Sequence, residues 1–232
     1  MRSLVLVAGH AIPRHFDRLD SDDGWYLKFF QAGEGGLYQN HVRRGVEIAA
    51  QDPGSLLVFA GGQTDILAGP RSEGQGYWLV AEHFGWFGHA EVRSRATTEE
   101  FSLDSFQNLL YGICRFREVT GRYPERIVVV GWKFKGDRFD LHRSALRFPA
   151  SCFQYEGVDN PPRLADNLPF EKARAELFKQ DPYGSTPDAA SKREDRNVFS
   201  RHHGYRESCP EISDLLIHRG PELHSGDLPW AR

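Results

Sequence analysis

The sequence predicts an α/β domain on a mainly parallel sheet. Three observations predict it: short, largely apolar runs without two-residue alternation, helix-length segments between them, and glycine where each run gives way to the next segment. Leu4 to Ala8, Ser55 to Ala60 and Arg126 to Val130 are the runs, and they break at Gly9-His10, Gly61-Gly62 and Gly131-Trp132.

Taken in order, Leu4 to Ala8 reads as a buried strand. Between Arg14 and Gly36 acidic residues mix with Trp25, Tyr26, Phe29 and Phe30, which predicts a packed helical or irregular insertion. Leu37, His41, Val42, Gly45, Ile48 and Ala49 recur at helical spacing until Asp52-Pro53-Gly54 stops them. Ser55 to Ala60 is the next strand, and Ser72 followed by Glu73 caps a helix that runs through Phe84. Glu91 to Arg93 reads as a short strand, and a helix begins at Ser102 or Asp104 and ends at Gly121. The strand from Arg126 leads into a helix over about Asp137 to Phe148, and Cys152 to Tyr155 reads as the last strand.

Residues 1–160 thus form the domain. Residues 161–232 form an irregular and helical carboxyl-terminal extension packed on it: Phe170 to Phe178 helical, Asp181 to Arg196 a mobile loop, Glu211 to His218 a last helix.

Composition narrows the function. A formal net charge of −3 supplies no broad basic field, so a grip on long nucleic acid through phosphate neutralisation is not expected. Cys114, Cys152 and Cys209 are odd in number and far apart, which supports neither a disulfide framework nor a zinc site and fits a reducing compartment. The apolar run from Ser3 to Gly9 is too short for a signal peptide or a membrane anchor, so a cytoplasmic protein is expected.

In an open parallel sheet ligands bind where strands end and helices begin, because N–H groups converge there and helix dipoles favour negative charge. Gly9 and His10 follow the first run, and Gly61, Gly62, Gln63 and Asp65 follow the second. No G-x-G-x-x-G and no G-x-x-x-x-G-K-[ST] is present, which removes the usual dinucleotide and P-loop readings. Glu73 is either a first-turn cap or a cleft carboxylate. Glu100, Ser102, Asp104, Ser105 and Asn108 either cap a helix or aim a base and hydrogen-bonding groups into the cleft. Lys133, Lys135, Arg138 and His142 follow the strongest strand, and cations at a helix start oppose its dipole. An anionic ligand or a neighbouring carboxylate has to compensate them.

In this order the motifs resemble the domain of unknown function typified by the bacterial YdcF, SanA and ElyC proteins, in a eukaryote-like version. They are Leu4 to His10, Phe59-Ala60-Gly61-Gly62, Ser72-Glu73-Gly74, the polar string from Glu100 to Asn108, and Val128 to Arg138, and they span roughly residues 3 to 148. The resemblance implies a Rossmann-like three-layer sandwich whose polar residues line one cleft, and it makes Glu73, Glu100, Asn108 and Arg138 site residues. Lys135 stands where that family usually has His, and Asp104-Ser105 stands where Asn-Thr is common. A mechanism that needs that His as acid or base therefore does not carry over, unless His142 faces the cleft and replaces it.

The expected function is binding of a small phosphorylated or nucleotide-like anion, with any reaction being that of a hydrolase or transferase. Lys133, Lys135 and Arg138 would hold the anion and Glu100 or Glu73 would act as base. Neither a cofactor nor a metal is specified. The alternatives are a non-catalytic metabolite-binding module and an interaction protein that uses Trp25, Tyr26, Phe29, Phe30 and the tail.

Overall fold

The computed structural model describes residues 1–231. Its strands are Ser3–Ala8 (β1), Ile12–Pro13 (β2), Trp25–Tyr26 (β3), Ser55–Ala60 (β4), Ala96–Glu99 (β5), Arg126–Gly131 (β6) and Phe153–Gly157 (β7). Its α-helices are Gly35–Gln51 (α1), Glu73–His83 (α2), Ser105–Thr120 (α3), Gly136–Ala145 (α4), Leu164–Gln180 (α5), Pro187–Arg196 (α6), Tyr205–Ser208 (α7) and Ser213–Ile217 (α8).

Five strands pair in parallel in the order β5-β4-β1-β6-β7, with Val5 opposite Leu57 on one side and Val128 on the other. Alternation across the pleat explains why the central strands read as unbroken apolar runs. Leu4, Leu6, Leu56, Val58, Ile127 and Val129 face a core closed by α3, α4 and the carboxyl-terminal segment; Val5, Val7, Leu57 and Phe59 face a second core closed by α1 and α2. The architecture is the three-layer, Rossmann-like sandwich. The chain runs outward from β1 through β4 to β5, then returns to the far side of β1 for β6 and β7. That reversal opens a crevice at the carboxyl ends of β1 and β6, where such sheets bind ligands.

Local signals set most boundaries. The Ser72 hydroxyl accepts from Gln75 N to start α2, the Asp104 carboxylate accepts from Gln107 N to start α3, and Gly121 ends α3 at φ +75°. Two expectations are corrected. Glu91 to Arg93 is no strand: it lies in 3₁₀ turns over Ala90–Arg95, because Val92 is drawn fully into the α1/α2 core, and the ladder with Leu57 to Ala60 starts at Ala96. Asp181 to Arg196 is not an irregular loop. The Asp181 carboxylate accepts from Ser185 N, Ser185 Oγ and Thr186 N at 2.8–2.9 Å, and α6 follows with Pro187 in its first turn.

The carboxyl-terminal segment shares the first core through Phe178, Tyr183, Tyr205, Leu215 and Trp230, and Trp230 Nε1 donates to Leu146 O at 2.7 Å. Among the described residues no helix is long and apolar enough to cross a membrane.

Candidate functional site

A cavity of about 820 Å³ opens over the crevice, within the range of roughly 300–1,000 Å³ usual for small-molecule sites. Its walls come from segments far apart in sequence: the turn after β1, the insertion before α1, the turns after β4, β5 and β6, and α5 and α6.

Glu73 lies against the first and second turns. A Cβ on Gly9 would stand 2.7 Å from Glu73 Cβ, and one on Gly61 would stand 2.6 Å from Glu73 Oε2. These glycines therefore admit the Glu73 side chain rather than a ligand. Their N–H groups are used inside the protein, since Gly9 N donates to Ala60 O, Gly61 N to Glu99 O and Gly62 N to Ser102 O. Glu73 Oε1 accepts from Thr64 Oγ1 at 2.5 Å. Burial raises the Glu73 carboxyl above the usual carboxylate range, while the Thr64 hydrogen bond and the charges of Arg196, Lys135 and Lys28 pull it back only in part.

His10 faces the same cavity, its ring stacked on Trp132 at 5.8 Å and 4° between planes. Burial, with Lys135 beside it, holds the imidazole well below its ordinary pKa, so His10 is neutral. The insertion is tied to this turn. Gln31 Nε2 donates to His10 O and to Tyr38 Oη, Tyr38 Oη donates to Glu34 Oε2 at 2.7 Å, and Lys28 Nζ reaches Asp65 Oδ2 at 2.7 Å.

The starts of α3 and α4 meet at Ser105. His142 Nε2 lies 2.8 Å from Ser105 Oγ, and Arg138 Nη1 donates to the same oxygen at 2.8 Å. The pair has the spacing of a nucleophile and its base, but the electrostatics oppose that use. Burial and then Arg138 bring His142 down to about 3, so an imidazolium beside Arg138 is strongly disfavoured. Neutral His142 instead fixes the Ser105 hydroxyl. Arg138 is itself held by a fork of hydrogen bonds to Glu171, at 2.7 and 2.9 Å, with both side chains nearly buried. Arg193 pairs with Asp104 at 2.7 Å and so fastens α6 to the start of α3. Burial works against the ionised Asp104, yet Arg193 and the Gln107 N–H outweigh it and the carboxyl stays below its usual range.

Three further cations line the cavity without any ion pair to a carboxylate among the described residues: Lys135, Arg174 and Arg196. Arg196 donates to the Leu103 carbonyl. Lys135 is half-buried at the cavity wall. Burial, followed by the Arg138 charge, brings its amino group down to about 7 although Glu171 and Glu34 act the other way. Burial and the charges of Arg138 and Arg196 also lower Arg174.

Of the residues singled out in the sequence, the cavity brings together Gly9, His10, Asp65, Glu73, Ser102, Asp104, Ser105, Asn108, Lys135 and Arg138. It does not gather Gly61, Gly62, Gln63, Glu100, Lys133 or His142. Gln63 Nε2 donates to Pro70 O, and Glu100 accepts from Thr98 Oγ1; its neighbour Glu99 is the buried carboxylate, held by Phe101 N, Ser102 N and Tyr205 Oη. Lys133 is exposed, and His142 touches the site only through Ser105. Sequence reasoning missed Lys28, Glu34, Asn167, Phe170, Glu171, Arg174 and Arg196, which come from the insertion and the carboxyl-terminal helices. The spacing of Phe170, Glu171 and Arg174 on one helix face was the available signal. Trp25 lies in the core, 3% exposed, which removes it from any interaction surface.

The chain is similar to the uncharacterized protein YOR238W of Saccharomyces cerevisiae, 28% identical in an alignment 239 positions long that takes in 81% of this chain and 78% of the yeast protein. No protein-family model matches the chain. No solved structure matches it.

Proposed function

We propose that this protein binds a small phosphorylated molecule in the cavity at the carboxyl ends of β1 and β6. The observation that carries the reading is the cluster of Lys135, Arg174 and Arg196, three cations turned to one cavity with no carboxylate partner among the described residues. The half-buried Lys135 ammonium, lowered to about 7, sits in an environment that disfavours its charge, and a bound anion relieves that penalty. The arginines supply paired donors and the lysine a point charge, the combination that suits phosphate oxygens.

The cation set differs from the expected one. Arg138, engaged with Glu171, orders the site rather than gripping the ligand, and Lys133 is outside it. Similarity in motif order to the YdcF, SanA and ElyC domain supports the same sheet edge as the site, and the three widely spaced cysteines support a cytoplasmic setting for it.

Glu73 carries a second step of the reading. A carboxyl raised by burial, beside cations that would hold a phosphoryl group, can take up or release a proton at the reacting oxygen. That makes the protein a hydrolase or transferase for a small phosphoester, with Glu73 as acid/base; without such turnover it is a sensor of the same ligand.

Thermal unfolding with millimolar inorganic phosphate, pyrophosphate and a phosphomonoester panel tests the binding. A rise in Tm is expected in the wild type and a much smaller one in Lys135→Met. Unmoved Tm across the panel, or equal shifts in both proteins, rejects the site. Turnover of any panel member that disappears in Glu73→Gln while the Tm shift persists supports the acid/base role, whereas unchanged turnover removes it.

A further inference from the structure

The mouth of the cavity carries three phenylalanines that the phosphate reading does not use. Phe29 is 90% exposed, Phe170 76% and Phe30 48%, and all three line the same cavity although they come from opposite ends of the chain. Exposed apolar residues scattered singly need no explanation, but rings gathered on one opening do.

The rings stand on a fixed base. Lys28 N donates to Gln31 Oε1 at 2.9 Å, Gln31 is bonded to His10 and Tyr38, and the Lys28 side chain is pinned by Asp65. The turn that bears Phe29 and Phe30 is thus held rigid, with the two rings edge to face at 5.5 Å and 84°. On α5, Phe170 precedes Arg174 by four residues, which puts the two positions on one helix face with about 6 Å of rise between their backbones.

Resting on the phosphate reading of this site, we propose that the ligand is a nucleoside phosphate: its base packs among Phe29, Phe30 and Phe170 at the mouth, and its phosphate lies against Lys135, Arg174 and Arg196. Polar groups among the rings favour a heteroaromatic ring over an aliphatic chain. Glu34 and Asn167 line the same cavity, the Asn167 side chain beside the Glu34 carboxyl, which Tyr38 Oη also holds. An alkyl tail would take these polar groups out of water with nothing to offer them, whereas a base edge supplies donors and acceptors.

Calorimetric titration of the full chain with AMP, UMP, ribose 5-phosphate, hexyl phosphate and inorganic phosphate decides the matter, in wild type, Phe170→Ala and Phe29→Ala/Phe30→Ala. The substituted rings are exposed, so the variants are expected to fold; far-UV circular dichroism checks it. At least one of AMP and UMP should bind about tenfold or more tightly than ribose 5-phosphate to the wild type, and the ring variants should lose most of that gain while binding ribose 5-phosphate unchanged. Equal affinity for nucleotide and ribose 5-phosphate overturns the base clamp and leaves the phosphate site standing. Hexyl phosphate matching the nucleotides overturns it in favour of an apolar tail, and nucleotide binding indifferent to both ring variants overturns it as well. No binding by any of the five compounds ends both this proposal and the phosphate reading.

Discussion

At the amino-terminal ends of the strands the chain closes on itself with backbone bonds, Arg2 N to Gly54 O and Glu125 N to Arg2 O, and with a loose Arg2–Glu125 pair whose side chains are 71% and 56% exposed. At the carboxyl-terminal ends of the same strands one ion pair is held out of water. The Arg138–Glu171 side chains are 9% and 12% exposed, and the half-buried Lys135, which has no carboxylate partner among the described residues, lines the same cavity. Both edges inherit the same apolar strands, so the contrast arises entirely in the connecting segments. Where a fold holds an ion pair dry and leaves half-buried cations beside it without carboxylate partners, stability alone does not account for them.

Breaking the dry pair is expected to have the largest effect. Arg138→Met strands Glu171 and removes a donor from Ser105, and should cost about 3–5 kcal/mol in urea unfolding. Arg138→Met/Glu171→Leu should recover most of that loss. A single variant within about 1 kcal/mol of the wild type would erase the contrast between the two edges.

Next in size is the pH dependence of phosphate binding. Free Lys135 titrates at about 7, and a bound anion raises its pKa, so above pH 7 the protein must first take up a proton to bind. Affinity for a phosphomonoester, whose second proton leaves at about pH 6, should be greatest between about pH 6 and 7 and fall by up to tenfold per unit between pH 7 and 9, a range over which the ligand keeps its charge. The ligand-free protein has the opposite trend: the charged form is disfavoured in the fold, so this residue's contribution to stability improves as pH rises from 7 toward its unfolded value near 10.4. Calorimetry at several pH values should show Lys135→Arg binding with a flat profile. A steep profile in that variant assigns the dependence to another group.

Gly9→Ala should cost about 1–3 kcal/mol, because the new methyl meets Glu73 Cβ and Ala60 O within 2.8 Å. Gly9→Ala combined with Glu73→Gly, which removes the Cβ in the way, should be less damaging than the sum of the two, measured as a double-mutant cycle. Additive losses would mean that Glu73 is not what the glycine accommodates.

The sheet was legible because its strands are buried on both faces and its helices carry local stops such as Ser72, Asp104 and Gly121, signals confined to a few neighbouring residues. The location of the edge followed from parallel pairing alone. Which of two adjacent acids is buried did not: Glu99 ends β5 and turns inward, Glu100 turns outward, and the register that decides it depends on where β5 begins, at Ala96 rather than at Glu91 as expected. Arg174 and Arg196 were beyond reach for a different reason. Their place over the cavity depends on the packing of α5 and α6, set by tertiary contacts such as Arg193 with Asp104 rather than by any local pattern.

The smallest effect belongs to the opposite edge and is the control for the rest. Arg2→Ala removes a solvent-exposed partner at 3.7 Å from Glu125 and leaves the backbone bonds of Arg2 in place, so stability should change by no more than about 0.5 kcal/mol. Phosphate affinity should not change at all, because the substitution lies a full strand length away and exposed charges at that distance are screened. Loss of affinity in Arg2→Ala would mean that the ligand, or the charge it answers to, does not sit at the carboxyl-terminal edge.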